Sequence, residues 1–382
     1  VNHRLNILGY LDVSSLDEKY ANSVNAGITD LVVALQWIHE NISAFGGDPE
    51  NVTIFGQSGG GGKVCTLLQT PAADGLYHKA MIMSGSDNFY REDDPPHAPI
   101  VEEMLAVLNI PRDEYETLTQ VPYRSLMKAY IRACNHLQTG INWGPVANDY
   151  YLGHPCDVGF RDYAKTIPTI VGNVIAEFGG FARTLPVSAS EEEKRAAIRN
   201  IYGSRDAELI EAFQAAYPGK DLSVLPKLDY HSRPNAVSFL TKRAESGPSA
   251  PGYSYQFSFV FDVYGGTPAW HCSDIPFIFH NTARVPVANL AGVTDRLEDE
   301  MAGALISFAY TGNPNHKGMP RWMPFTAEGK ETMFFDAHSE CRRDADTALI
   351  AKIAEFDPAP WSIRATVPKD VEEEQGGREW LY

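Results

Sequence analysis

The run Gly56-Gln57-Ser58-Gly59-Gly60-Gly61-Gly62-Lys63-Val64 constrains this chain more than any other feature, because it sits between a β-rich run, Val52-Thr53-Ile54-Phe55, and a helix-like stretch reaching Leu67-Leu68. Glycines placed between a strand and a helix serve two chemistries. A phosphate-binding loop needs GxxxxGK followed by Ser or Thr, so that backbone N–H groups cradle phosphates and a hydroxyl ligates Mg²⁺. Gly62-Lys63 fits the end of that pattern, but five places before Gly62 stands Gln57, and Val64 has no metal-ligating atom. The pattern G-x-S-x-G is met in full. In that arrangement the serine takes a strained corner at the top of a sheet, and small residues two before and two after it keep the turn tight. The next N–H, that of Gly59, opens a helix, where it can stabilise an oxyanion. A glycine-rich turn whose serine merely caps the helix would carry the same letters.

The surrounding pattern predicts an α/β chain. Residues 29–44 place Leu31, Leu35, Ile38 and Ile42 at helical spacing, and Gly46-Gly47-Asp48-Pro49 ends that helix. Further strands are predicted at 80–83, 167–171 and 253–259, and a long helix near 295–311. Strand, helix, strand in this rhythm implies a parallel sheet with crossover helices. Residues 97–140 and 188–250 carry a mainly helical pattern, with a capping box at Ser190 and Glu193 and a stop at Gly203, and are expected to be insertions over one edge of the sheet. The tail from Asp370 to Tyr382 is acidic and expected to be loose.

Composition excludes several classes. A net charge of −17 repels nucleic acid and anionic membranes. No apolar run reaches the ~20 residues of a membrane span. Five scattered cysteines (Cys65, Cys134, Cys156, Cys272, Cys341) form neither a disulfide framework nor a zinc motif, which favours a reducing, cytoplasmic compartment. No metal or cofactor is expected. The chain opens at Val1 without a Met, so secretion stays open.

A serine becomes a useful nucleophile when a histidine takes its proton and a carboxylate orients that histidine, and on α/β sheets of this kind the chain order is Ser, acid, His. Of the eleven histidines, His271 is the best placed, in a loop just after the 253–259 strand. Glu177 lies a short loop beyond the 167–171 strand, among apolar neighbours where an unpaired carboxylate is costly. Taken singly, each could equally be a packing histidine or a solvated loop glutamate.

Together the segments resemble the type-B carboxylesterase and cholinesterase family of α/β-hydrolases, with bacterial para-nitrobenzyl esterase-like members the most similar. The resemblance rests on Asn2-His3-Arg4-Leu5, Asn25-Ala26-Gly27 with Asp30 and Ala34-Leu35-Gln36-Trp37, Phe45-Gly46-Gly47-Asp48-Pro49 and the Ser58 turn. Later stretches are Met83-Ser84-Gly85, Gly144-Pro145-Val146, Gly172-Asn173 with Glu177 and Gly179, His271 with Asp274-Ile275-Pro276-Phe277-Ile278-Phe279, and Phe308 to Asn315. It implies a single α/β-hydrolase domain with a mostly parallel twisted sheet, helical insertions capping the site, and hydrolysis of small esters through an acyl-enzyme. Ser58 would be nucleophile, His271 base, Glu177 acid and Gly59 an oxyanion donor, with Gln57 and Ser84 supporting; Trp143, Phe178 and Trp270 are candidate substrate contacts. A non-catalytic binding or adhesion protein on the same fold is the alternative. The family's usual Glu before the nucleophile and Ala after it are here Gln57 and Gly59. Its glycine-rich oxyanion loop should precede Asn2, which implies a further N-terminal segment on the same polypeptide or on a companion chain.

Overall fold

A computed structural model describes residues 1–87, 97–141, 144–179 and 185–356. The predicted tail and Trp143 lie outside the described residues. Six strands form one sheet: β1 (Thr53–Gln57), β2 (Lys79–Met83), β3 (Thr169–Val174), β4 (Gly252–Phe257), β7 (Thr332–Phe335) and β8 (Glu340–Arg342), in the order β1-β2-β3-β4-β7-β8. The pairings from β1 to β7 are parallel, and β8 adds antiparallel to β7. A two-stranded ribbon, β5 (Val260–Phe261) with β6 (Thr267–Pro268), leaves the end of β4.

Parallel strands covered by helices on both faces lose the apolar–polar alternation, and β2 and β3 are buried at every position. Met81 and Met83 point into one core with Ile170, Val174 and Phe257, whereas Ala80 and Ile82 point into the opposite core with Val171. On that second face lies α2 (Ala26–Asn41), which buries Ile28, Val32 and Leu35 after the short N-terminal α1 (Asn6–Tyr10). The helix tightens into a 3₁₀ turn at Ile42–Phe45 and stops at Gly46, whose φ of 84° suits glycine.

The predicted helical blocks divide into two kinds. From residues 97–140 come α4 (His97–Leu108) and α5 (Tyr123–His136), which follow α3 (Gly59–Leu68) in the chain and build a separate small core with Ile7 and Leu11. Within 188–250, the capping box forms: Ser190 Oγ accepts from Glu193 N, and Glu193 Oε2 accepts from Ser190 N at 2.9 Å. The last helix of that block, Ser232–Glu245, is a correction to the expectation. It packs on β3 and β4 through Ala236, Val237, Phe239 and Leu240, and so is the crossover helix between those strands rather than an insertion. Its apolar positions serve the sheet, which a helical pattern alone does not reveal. β7 and β8 were not predicted either; β7 is only four residues long and follows a stretch rich in turn residues.

The tightness expected at the Ser58 turn is found at Gly56 but not at Gly60, and Gly61 and Gly85 share it. A Cβ on Gly56 would stand 2.2 Å from the Gly60 carbonyl, one on Gly61 2.9 Å from Gly85 Cα, and one on Gly85 2.3 Å from the Ser58 carbonyl oxygen. A Cβ on Gly60 meets open space. Strand, turn and helix are therefore pressed together backbone to backbone at Gly56, Gly61 and Gly85. No helix of the described residues is long and apolar enough to cross a membrane.

Gly56→Ala and Gly85→Ala are each expected to lower unfolding free energy by about 1–3 kcal/mol, since the atoms in the way are backbone. Gly60→Ala, in the first turn of α3, should be neutral or stabilising by up to ~1 kcal/mol. Urea denaturation of the three variants measures the contrast.

Candidate active site

The carboxyl ends of parallel strands are where α/β sheets gather chemistry, because successive loops leave the sheet there on the same edge. Ser58 follows β1, Ser84 follows β2, Glu177 lies three residues after β3, and His271 comes after the ribbon that extends β4. Backbone bonds draw the last two loops together: Ile175 N donates to Phe257 O, Ala176 N to Ala269 O, and His271 N to Glu177 O at 2.7 Å. Residues far apart in sequence thus meet because their loops pair like a short extension of the sheet.

Ser58 has φ 57° and ψ −124°, a conformation that costs a non-glycine residue of the order of 1–3 kcal/mol. Ser58 N donates to Met83 O at 2.8 Å, and Gly62 N donates to Ser58 O at 3.0 Å, so the corner is held from both the strand and the helix. Gly59 opens α3, where the first N–H groups have no partner within the helix. Ser84, also at positive φ, lies buried behind the turn, with Ser84 N donating to Gly172 O at 2.7 Å.

Glu177 is buried, and its two oxygens are used differently. Oε1 accepts from Val174 N at 3.1 Å, and Oε2 accepts from His271 Nδ1 at 2.6 Å. Burial of the ring opposes its charged form, but the hydrogen bond and charge of Glu177, with Asp274 and Asp87 adding, outweigh it and raise the His271 pKa above its ordinary 6.5. Phe178 stacks on the imidazole with ring centroids 4.5 Å apart and is half exposed. Trp270 instead packs against Phe261, 4.5 Å away, at the margin of the core. On the other ring nitrogen, Gln57 Nε2 stands 3.3 Å from His271 Nε2. Among the described residues no hydrogen bond joins Ser58 Oγ to His271.

Three further carboxylates converge on Glu177, and the sequence had singled out none of them as functional. Burial, with the charge of Glu177, pushes Asp229 up to about 7; its oxygens accept from the N–H groups of His231, Ser232 and Arg233. Asp274 is pushed up to about 6 by burial and Glu177, against an opposing hydrogen bond from Tyr255 Oη at 2.7 Å. Asp87 is also raised, first by burial and then by Glu177. Asp274 had a signal in the sequence, a lone acid before an apolar run. Asp229 had none, because it reaches the site through the tertiary bond from Asp229 N to Ile175 O. All five cysteines are free thiols, and among the described residues no group of three His, Cys, Asp or Glu side chains could hold a metal.

Comparison with known proteins gives a consistent result. Residues 1–350 match the profile of the carboxylesterase family. Para-nitrobenzyl esterase of Bacillus subtilis (strain 168) is 30% identical over 364 residues, covering 92% of this chain and 72% of the relative. Fumonisin B1 esterase of Sphingopyxis macrogoltabida is 28% identical, covering 87% of this chain and 62% of the relative. A solved esterase from anaerobic Clostridium hathewayi, described as able to hydrolyze aliphatic aromatic polyesters, superposes with TM-score 0.87 at 44% identity, covering 93% of this chain and 72% of that one. A solved PNB esterase superposes with TM-score 0.68 at 29% identity, covering 93% and 73%. Nothing in these matches supports the expected companion chain.

Replacing the charge at Glu177 tests the electrostatics directly. In Glu177→Gln the His271 ring should titrate lower than in wild type, because burial then faces only the more distant acids. Imidazole NMR measures the shift.

Proposed function

This chain belongs to the carboxylesterase family, with its α/β-hydrolase fold, and acts on carboxylic esters; we propose that it does so through an acyl-enzyme on Ser58, with His271 as base and Glu177 as the acid that orients it. The observation that carries this reading is the buried 2.6 Å contact between Glu177 Oε2 and His271 Nδ1, beside the strained Ser58 corner. It fixes the tautomer. With the Nδ1 proton donated to Glu177, a neutral ring has its lone pair on Nε2, the nitrogen that must take the serine proton.

In the proposed cycle Ser58 Oγ attacks the ester carbonyl while its proton passes to His271 Nε2. Charge develops on the carbonyl oxygen, and the Gly59 N–H at the head of α3 is the donor this segment offers to it. His271 then gives the proton to the leaving alkoxide. A water, deprotonated by the same nitrogen, attacks the acyl carbon, and collapse expels Ser58 Oγ, which recovers its proton. The imidazolium formed twice in each cycle is favoured by Glu177, which is already buried and oriented before the reaction begins. Phe178, stacked on the ring and half exposed, is proposed as an apolar wall for the ester; Trp270, turned to the core, is the weaker candidate. The similarity to an esterase that can hydrolyze aliphatic aromatic polyesters supports aromatic esters as substrates alongside small p-nitrophenyl esters. Nothing in the comparisons supports a non-catalytic binding role.

Ser58→Ala in the full-length protein is expected to reduce kcat on short-chain p-nitrophenyl esters by at least ~10³-fold. The wild type should be labelled at Ser58 by a fluorophosphonate, as found by peptide mass analysis. Undiminished hydrolysis by the variant, or labelling elsewhere, would remove Ser58 from the mechanism. Because the base must be neutral and its pKa is raised, kcat/KM should fall as pH drops through a value above 6.5.

A further inference from the structure

The nitrogen that His271 must offer to Ser58 is already engaged. Its Nε2 lies 3.3 Å from the side-chain amide nitrogen of Gln57, while no bond from Ser58 Oγ reaches the ring among the described residues. We propose that Gln57 is a positioning residue whose amide N–H holds the Nε2 lone pair of neutral His271 at rest and yields it to the Ser58 hydroxyl when ester enters. The inference rests on His271 being the base of the proposed reaction.

The polarity of this contact follows from the opposite side of the ring. Glu177 accepts the Nδ1 proton, so Nε2 of the neutral ring is an acceptor, and an amide N–H is a fitting donor. An imidazolium would carry a proton on Nε2 as well, and would face two amide hydrogens unless Gln57 turned its oxygen inward. The contact therefore favours the neutral ring. Every acid that bears on the ring acts the other way: Glu177 from the loop after β3, Asp274 from the histidine's own loop and Asp87 from the segment after β2. Asp229, from the segment before Ser232, is itself raised by burial and by the charge of Glu177. Gln57 is thus a local counterweight to an acidic surround.

Geometry also assigns the motion. His271 is clamped by its backbone bond to Glu177 O, its Nδ1 bond to Glu177 and the stacked Phe178 ring. Gln57 has its backbone fixed in β1 opposite Met83, but its side chain is only partly buried. The exchange of partners is accordingly a side-chain rotation of Gln57, not a swing of the histidine. In this resting position the same Gln57 side chain also bonds the exposed Cys272 thiol.

Imidazole NMR titration of His271 in wild type, Gln57→Met and Gln57→Glu tests the bond without requiring turnover. Methionine keeps the length and removes the donor, so the ring pKa should rise by about half a unit. Glutamate accepts from the Nε2 proton and adds charge, so it should rise by about one unit or more. Gln57→Leu replaces the methionine variant if circular dichroism shows the latter unfolded. A methionine variant that titrates with the wild type overturns the proposal, even if the glutamate variant moves, because charge alone would explain that. The release step has its own reading. At a pH above all three titrations, phosphonylation of Ser58 should be several-fold faster in Gln57→Met than in wild type, since no bond must first be broken; an equal or slower rate overturns it. Absence of labelling at Ser58 in wild type, with the NMR order intact, would instead sink the nucleophile assignment and leave the resting Gln57–His271 bond standing.

Discussion

The backbone contact among Gly56, Gly61 and Gly85 is the constraint on which the rest depends. It lets the end of β1, the first turn of α3 and the loop after β2 share a space that side chains would fill. That closeness forces Ser58 into its left-handed corner and leaves the N–H of Gly59 at a helix start instead of in a strand ladder. Ser58 N and Met83 O then close the corner against the sheet. The strain at Ser58 is maintained because three elements would have to separate to relieve it. A hydroxyl held in this way can be approached from a different loop without itself moving.

The second organising effect is electrostatic. A buried carboxylate such as Glu177 is tolerated because a backbone N–H and a histidine both donate to it. Around it stand Asp87, Asp229 and Asp274, each with its pKa raised by burial and by the charge of Glu177. These neighbours therefore hold their protons more tightly than exposed aspartates would. Against this, the three backbone donors to Asp229 and the Tyr255 hydroxyl to Asp274 favour the ionised forms, and burial outweighs them.

What the sequence made legible follows the range of the interactions. Ser58, with its flanking strand and helix, is a local pattern, and short-range sterics make it readable. The Ser190–Glu193 cap and the stop at Gly46 were readable for the same reason. Glu177 and His271 could be nominated by their places after strands but not joined, since the bond between them depends on two loops pairing across the sheet edge. The resemblance to esterases supplied that join before any distance did. Asp229 was not legible at all, and Ser232–Glu245 was read as part of an insertion, because in both cases the deciding fact is which distant strand the segment packs against. Tightness at the Ser58 turn was anticipated at Gly56 and Gly60; the backbone keeps it at Gly56 but moves the rest to Gly61 and Gly85, one of them on a different strand's loop.

The acidic surround also gives a reason for the amide at position 57. A glutamate there, usual in the family this chain resembles, would bring another carboxylate to a histidine already faced by Glu177, Asp274 and Asp87. Like charges at short range in a partly desolvated site raise each other's pKa, so the added acid would compete with Glu177 for ionisation and blur which carboxylate orients the ring. A neutral amide avoids that competition and supplies a donor where the neutral base has a lone pair. The cost is weaker support for the imidazolium, and the raised pKa of His271 indicates that the remaining acids already provide it. Gln57 is better understood, then, as matched to the carboxylates that converge behind it than as a lost charge.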